Sequence, residues 1–301
     1  MFGMIQIYSR YFFNFRSVVL ATFILPLVII ISPVLVRQSF KPSTTASSLP
    51  LQISSPVNPC TLVDATFSAC TSSMVLNVDP GYTNYTWSTG ATSTSITVNT
   101  SGTYWWETVQ YTDNAVSNGD FENSADHYAG FTSSYTKNNS SLLVEGTYAV
   151  VKNPNSVHGS FASFYDHTKN DGTGYMMVVN GAPTANVLVW SESVTVQPNT
   201  TYLFSIWGAS VHPTSPGVLN FSINGTQLGN ITLISTTGSW QNFTVRWNSG
   251  SNTTATIGIV NQNTASTGND FALDDIVFAP VCRKNITANL YPNPAKPIIT
   301  N

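Results

Sequence analysis

Between residues 59 and 281 apolar side chains recur at every second position, in short runs broken by turn residues. That alternation builds strands, because successive strand side chains point to opposite faces. MVLNVD (74–79), NYTW (84–87), SITVN (95–99) and TYWWETV (103–109) come first, with Pro80-Gly81, Thr89-Gly90 and Ser101-Gly102 between them. YMMVVN (175–180), SVTV (193–196), TYLFSIW (201–207), VLNFSI (218–223), QNFTVRW (241–247), TATIGIV (254–260) and FALDDIVF (271–278) follow. Asn224-Gly225 is a strong signal for a type I′ hairpin. Residues 114–281 contain no run with a helical period. The chain is therefore expected to be all-β, with a small sandwich over 59–112 and a larger one over 114–281. Tyr85 or Trp87 is expected to fill the small core. About eight strands in the larger unit suit a double-sheet jelly roll.

The polarity of this chain comes from Ser, Thr, Asn and Gly. Charged residues are only 8% of the 301, against about a quarter in ordinary domains. Hydrophobic residues at 42% and aromatics at 12% suffice for packed cores. The formal net charge of −3 hides an asymmetry: every acid lies between Asp64 and Asp275, where the bases are only Lys137, Lys152, Lys169 and Arg246. Nucleic-acid binding needs a basic surface and is excluded as a reading. Bound cations are favoured.

The ends of the chain speak of an address. Residues 1–16 carry Arg10 and Arg16 and no acid, and residues 18–31, VVLATFILPLVIII, are almost wholly apolar. Residues 1–37 therefore read as a secretory signal peptide or an uncleaved signal-anchor, and both readings export the remainder. Residues 38–58 are a Ser/Thr/Pro-rich linker. Cys60, Cys70 and Cys282 form no CxxC pair. Two readings stay open for them, a Cys60–Cys70 bridge in an oxidising compartment or free thiols.

One strand breaks the pattern. In Gly268–Pro280, GNDFALDDIVFAP, Asp274 and Asp275 stand side by side in an apolar run. Carboxylates there are costly unless something neutralises them. Asn118–Glu122, NGDFE, offers further oxygen ligands about 150 residues earlier. The two stretches are expected to meet around a structural calcium ion. Strand geometry sends Asp274 and Asp275 to opposite faces, so only one of them should face a given site.

Three sets of motifs carry resemblances. Tyr85-Thr86-Trp87-Ser88-Thr89-Gly90-Ala91-Thr92, Ser95-Ile96-Thr97-Val98 and Ser101-Gly102-Thr103-Tyr104 resemble Ig-like modules of secreted Bacteroidetes proteins, with a departure at Trp105-Trp106-Glu107. Residues 114–281 resemble a galactose-binding-like, carbohydrate-binding-module-type jelly roll. The carriers are Asn118–Glu122, Asp166-His167-Thr168, Gly174–Gly181, Trp190 with SVTVQPNTTYLFSIW, Phe221–Gly225 and Gly268–Ile276. Tyr291-Pro292-Asn293-Pro294, within the tail 282–301, resembles the start of a type IX secretion sorting domain. That last resemblance implies an export machinery as partner. The jelly-roll family's pattern places the Glu of NGDFE and the first Asp of DDI beside the metal, which carries onto Glu122 and Asp274. Asn118, Asp120 and Asp166 are further candidates.

Sugar rings stack on exposed aromatic faces. Tyr128, Tyr135, Trp207 and Trp240 are the candidate ligand-binding residues, and Trp207 lies on the opposite strand face from Tyr202, Phe204 and Ile206. The sequence holds no GxSxG, HExxH, phosphate loop or GxGxxG, and its four histidines lack metal-ligand spacing. The expected function is non-catalytic binding of a glycan at the cell surface by a calcium-stabilised jelly roll. The rival is a structural or adhesive surface protein making protein contacts.

Overall fold

In a computed structural model, residue 60, residues 62–82 and residues 84–292 are described. The expected signal or anchor, the linker and the second half of the expected sorting motif, residues 293 and 294, lie outside them. No helix among the described residues is long and apolar enough to cross a membrane.

The described chain is all-β apart from two short 3-10 turns. Its strands are β1 (Ala65–Ala69), β2 (Met74–Asn77), β3 (Tyr85–Trp87), β4 (Ser95–Val98), β5 (Gly102–Val109), β6 (Thr136–Lys137), β7 (Thr147–Val151) and β8 (Met176–Asn180). β9 (Leu188–Thr195), β10 (Thr201–Ser210), β11 (Val218–Ile223), β12 (Thr226–Thr232), β13 (Gln241–Asn248), β14 (Thr254–Asn261) and β15 (Phe271–Leu290) complete the order.

The larger sandwich packs the sheet β13-β10-β15-β8-β7-β6 against the sheet β12-β11-β14-β9. Period-two alternation decides which side chains meet between them. Tyr202, Phe204 and Ile206 of β10 and Met177 and Val179 of β8 face Phe221 and Ile223 of β11 and Ile257 and Ile259 of β14. Trp190 lies fully buried in the same core. The opposite face of the first sheet is also covered. Ala149, Met176, Val178 and Ala272 pack there against Leu142, Val157 and Phe161. This second apolar layer explains why β8 is buried at every position instead of alternating.

A smaller sandwich lies beside it. The two-stranded sheet β2-β4 covers a sheet of β3, β5, β15 and β1. Trp87, expected there, and Trp106 fill its core with Leu76, Val98 and Ile286.

β15 joins the two. Its first half pairs with β10 from Phe271 to Pro280 and with β8 at Phe271–Leu273. Its second half pairs with β5 from Val281 to Ala288 and with β1 from Ile286 to Leu290. Residues 282–290, read from sequence as the start of a tail, thus continue as strand. Their alternation resumes at Ile286, Ala288 and Leu290, all buried.

Neither reading of the cysteines holds. Cys60 is bonded to Cys282, with Cα atoms 5.0 Å apart, and Cys70 is free and exposed. Pairing across 222 residues follows from the approach of β15 to the start of the smaller sandwich, which no local spacing announces.

Candidate functional site

The two acidic stretches do meet. The amide of Ile276 donates to the carbonyl of Gly119 at 2.9 Å. The approach is so close that a Cβ on Gly119 would stand 2.0 Å from the Ile276 oxygen, so only glycine fits. Asn118 serves the turn itself. Its side-chain amide donates to the carbonyls of His127 and Ala129, and its Oδ1 accepts from the Asn123 amide. Asp120 Oδ1 accepts from the Glu122 amide.

A third stretch, Asp166–Tyr175, lies between them and takes most of their side-chain bonds. Asp274 Oδ2 accepts from the amides of His167 at 2.7 Å and Thr168 at 3.1 Å. Its Oδ1 accepts from the Asp275 amide at 2.8 Å. Asp275 turns to the same loop. Its Oδ2 lies 2.5 Å from His167 Nδ1, and its Oδ1 accepts from the Thr168 hydroxyl at 2.8 Å. The expectation that neighbouring aspartates must diverge is therefore overturned. The pairing of β10 with β15 slips between Ser205 and Trp207, leaving a bulge at Asp275 with a φ of 47°. A bulge adds one residue to one strand and re-aims its side chains, and Asp tolerates the left-handed conformation better than most residues.

Asp274 is fully buried, and burial, together with the Asp275 carboxylate, pushes its carboxyl up to about 8. Asp166 is equally buried. Its Oδ2 accepts from the Lys169 amide, and its Oδ1 has no hydrogen-bond partner. Gly174 makes room for it, since a Cβ there would lie 2.2 Å from Oδ2. Glu122 Oε1 accepts from the Tyr175 amide at 2.6 Å, and its Oε2 is paired with the Lys169 ammonium.

Calcium takes six to eight oxygen ligands at about 2.3–2.6 Å. The chemistry of Glu122, Asp166 and Asp274 fits it, and the orphaned Asp166 oxygen supplies the buried acceptor such an ion would satisfy. Among the described residues no three His, Cys, Asp or Glu side chains are grouped as metal ligands. Lys169 instead supplies the positive charge at Glu122.

The aromatic candidates divide. Trp207 and Trp240, both half-buried, converge on His167 at the outer face of the first sheet. The His167 and Trp207 rings stack with centroids 3.9 Å apart, and Trp240 meets His167 at 5.7 Å and 69°. Trp240 Nε1 donates to the carbonyl of Tyr165, whose own side chain is exposed. Tyr128 and Tyr135 belong elsewhere. Tyr135 is buried and its hydroxyl accepts from the Ala182 amide. Tyr128 donates its hydroxyl to Asn139 and accepts from the Val150 amide, with the Lys137 ammonium over its ring at 3.4 Å. Both complete the packing between the sheets.

Sequence reasoning missed His167, Thr168, Lys169 and Tyr165 as parts of this site. The DHT motif was the one available signal. Its role depends on the bulge at Asp275, which the alternation of apolar residues does not encode.

No protein-family model matches the chain, and no curated protein matches it. Among solved structures it is similar to an arabinose-bound GH51 α-L-arabinofuranosidase, MgGH51, at 14% identity, covering 56% of this chain and 26% of that one, with a TM-score of 0.38. It is similar to TmCBM61 in complex with β-1,4-galactotriose at 16% identity, covering 55% and 97%, with a TM-score of 0.35. The C-terminal domain of the sugar-binding protein EclA is matched at 15% identity over 30% and 66%, with a TM-score of 0.28. The chain thus spans less than two thirds of the arabinofuranosidase and of the EclA domain. Likenesses this weak carry no argument for function.

Proposed function

We propose that this chain is an exported, non-catalytic surface protein that binds a glycan on the outer face of its larger sandwich. The observation that carries this reading is the convergence of Trp207 and Trp240 on His167, with Tyr165 exposed at their edge. Aromatic surface beside hydrogen-bonding groups suits the apolar faces and hydroxyls of a sugar. Thr168 and Asp275 supply polar atoms next to the rings. Calcium would be held by Glu122, Asp166 and Asp274, and would neutralise the charge of the loop that carries His167. The amides of His167 and Thr168 both donate to Asp274, which holds the backbone that carries the imidazole.

A glycan-array screen of the full chain tests this reading. Binding of an oligosaccharide, lost on Trp207→Ala and Trp240→Ala with the melting temperature retained, is the expected result. An array on which the wild type and the double variant behave alike would sink it.

The structural reading also has a specific observation in its favour. One strand, β15, serves both sandwiches, and the Cys60–Cys282 bond anchors the start of the smaller sandwich to it just past the crossing point. Such a joint suits a stiff spacer that presents the larger sandwich away from a surface.

A further inference from the structure

Arg246 and Arg283 are the only arginines among the described residues, and they meet at one place. Arg246 stands on β13 of the larger sandwich and Arg283 on the second half of β15. Both reach Glu107 of β5. Arg246 Nη2 lies 2.5 Å from Oε1, while Arg283 donates to Oε2 from Nη2 at 2.9 Å and from Nε at 3.3 Å. Glu107 is buried, whereas the two arginine side chains remain 48% and 47% exposed. They line a cavity of about 330 Å³ with Asn199, Thr200, Thr201 and Val281. That size falls at the lower end of small-molecule sites, roughly 300–1,000 Å³.

Charge makes this cavity unusual in the molecule. Two guanidinium groups face one carboxylate, so one positive charge is left over in a chain with 14 acids, every one of them within the described residues. A bond that only joined the two sandwiches would need one arginine. Glu107 accepts from only part of the N–H donors that two guanidinium forks carry. Arg283 is also held in place, its guanidinium lying over the Trp105 ring at 3.9 Å. A planar fork fixed in advance loses less freedom when it binds a planar oxyanion. Asn199 and the two threonines add neutral hydrogen-bonding groups at the rim.

We propose that this cavity binds the anionic group, carboxylate or sulfate, of an acidic saccharide through Arg246 and Arg283. It shares no residue with the aromatic site at Trp207; the anion pocket stands on Arg246 and Arg283 alone, and the saccharide that carries the anion rests on the glycan-binding reading above.

The test is calorimetric titration of the full chain with glucuronate, a sulfated hexose, inorganic sulfate and glucose. Glucuronate or the sulfated hexose should bind and glucose should not. Arg246→Ala should weaken binding about tenfold or more, which corresponds to a lost charge-assisted contact. Arg246→Lys keeps the charge without the fork and should weaken it less. Glu107→Gln should strengthen binding by removing the competing carboxylate, and Lys137→Met, which removes a cation outside the cavity, should leave it unchanged. If Arg246→Ala fails to fold, Arg246→Lys and Glu107→Gln decide the matter. Binding of inorganic sulfate alone would overturn the saccharide assignment. No binding of any anion at about 10 mM, or equal binding by wild type, Arg246→Lys and Glu107→Gln, would overturn the site itself.

Discussion

The side chains of His167 and Asp275 meet at 2.5 Å, and the imidazole that Asp275 holds lies flat on Trp207. The orientation of Trp207 thus depends on a residue in a loop about 40 residues earlier and on a carboxylate at a bulge. His167→Ala should release Trp207. A red-shifted tryptophan emission and a stability loss of about 1–2 kcal/mol are expected, from one lost ring stack and one lost charge-assisted bond. Unchanged emission would show that Trp207 is held by its strand alone.

Calcium should act on the same loop. Adding it after chelation should raise the melting temperature, and Glu122→Gln and Asp166→Asn should each abolish that rise. Lys169→Met should make calcium bind more tightly, because the ammonium now paired with Glu122 no longer competes. A melting temperature indifferent to both calcium and chelator would remove the ion from the reading.

Asp270 should make stability depend on pH. Burial pushes its carboxyl up to about 7, only partly offset by the bond from the Gly181 amide. The folded state therefore holds this proton more tightly than the unfolded chain, where the carboxyl titrates near 3.8. The stabilisation is full below that value and is lost as pH rises through about 7. In chelator, denaturant unfolding should show a loss on the order of 2 kcal/mol between pH 5 and pH 8 from this group. Asp270→Asn should remove that share, while Asp274, raised to about 8, keeps its own. A wild-type curve flat from pH 5 to 8 would contradict this account.

The Cys60–Cys282 bond should secure the start of the smaller sandwich to β15. Replacing both cysteines by serine should cost about 2–4 kcal/mol, since the bond closes a long loop in the unfolded chain. A thiol reagent should label Cys70 at once and the other two only after reduction. Labelling of all three in unreduced protein would disprove the pairing.

Much of this architecture was legible beforehand. Period-two alternation located β2, β11, β13 and β14 within a residue or two, because strand formation depends on local polarity. The meeting of NGDFE with the closing strand was readable too, since buried carboxylates need partners and the chain offers few. The sequence by itself determined that the protein is all-β, acidic in its folded part, and closed by a strand carrying two aspartates. Tertiary structure alone decided where those aspartates point. The extra residue at Asp275 exists only relative to β10, some 70 residues away, so no reading of one strand can count it. The same holds for Cys282, whose partner depends on how far β15 runs on, and for Tyr135. Its aromatic character suits a surface platform or a core equally well, and packing between the sheets decided for the core.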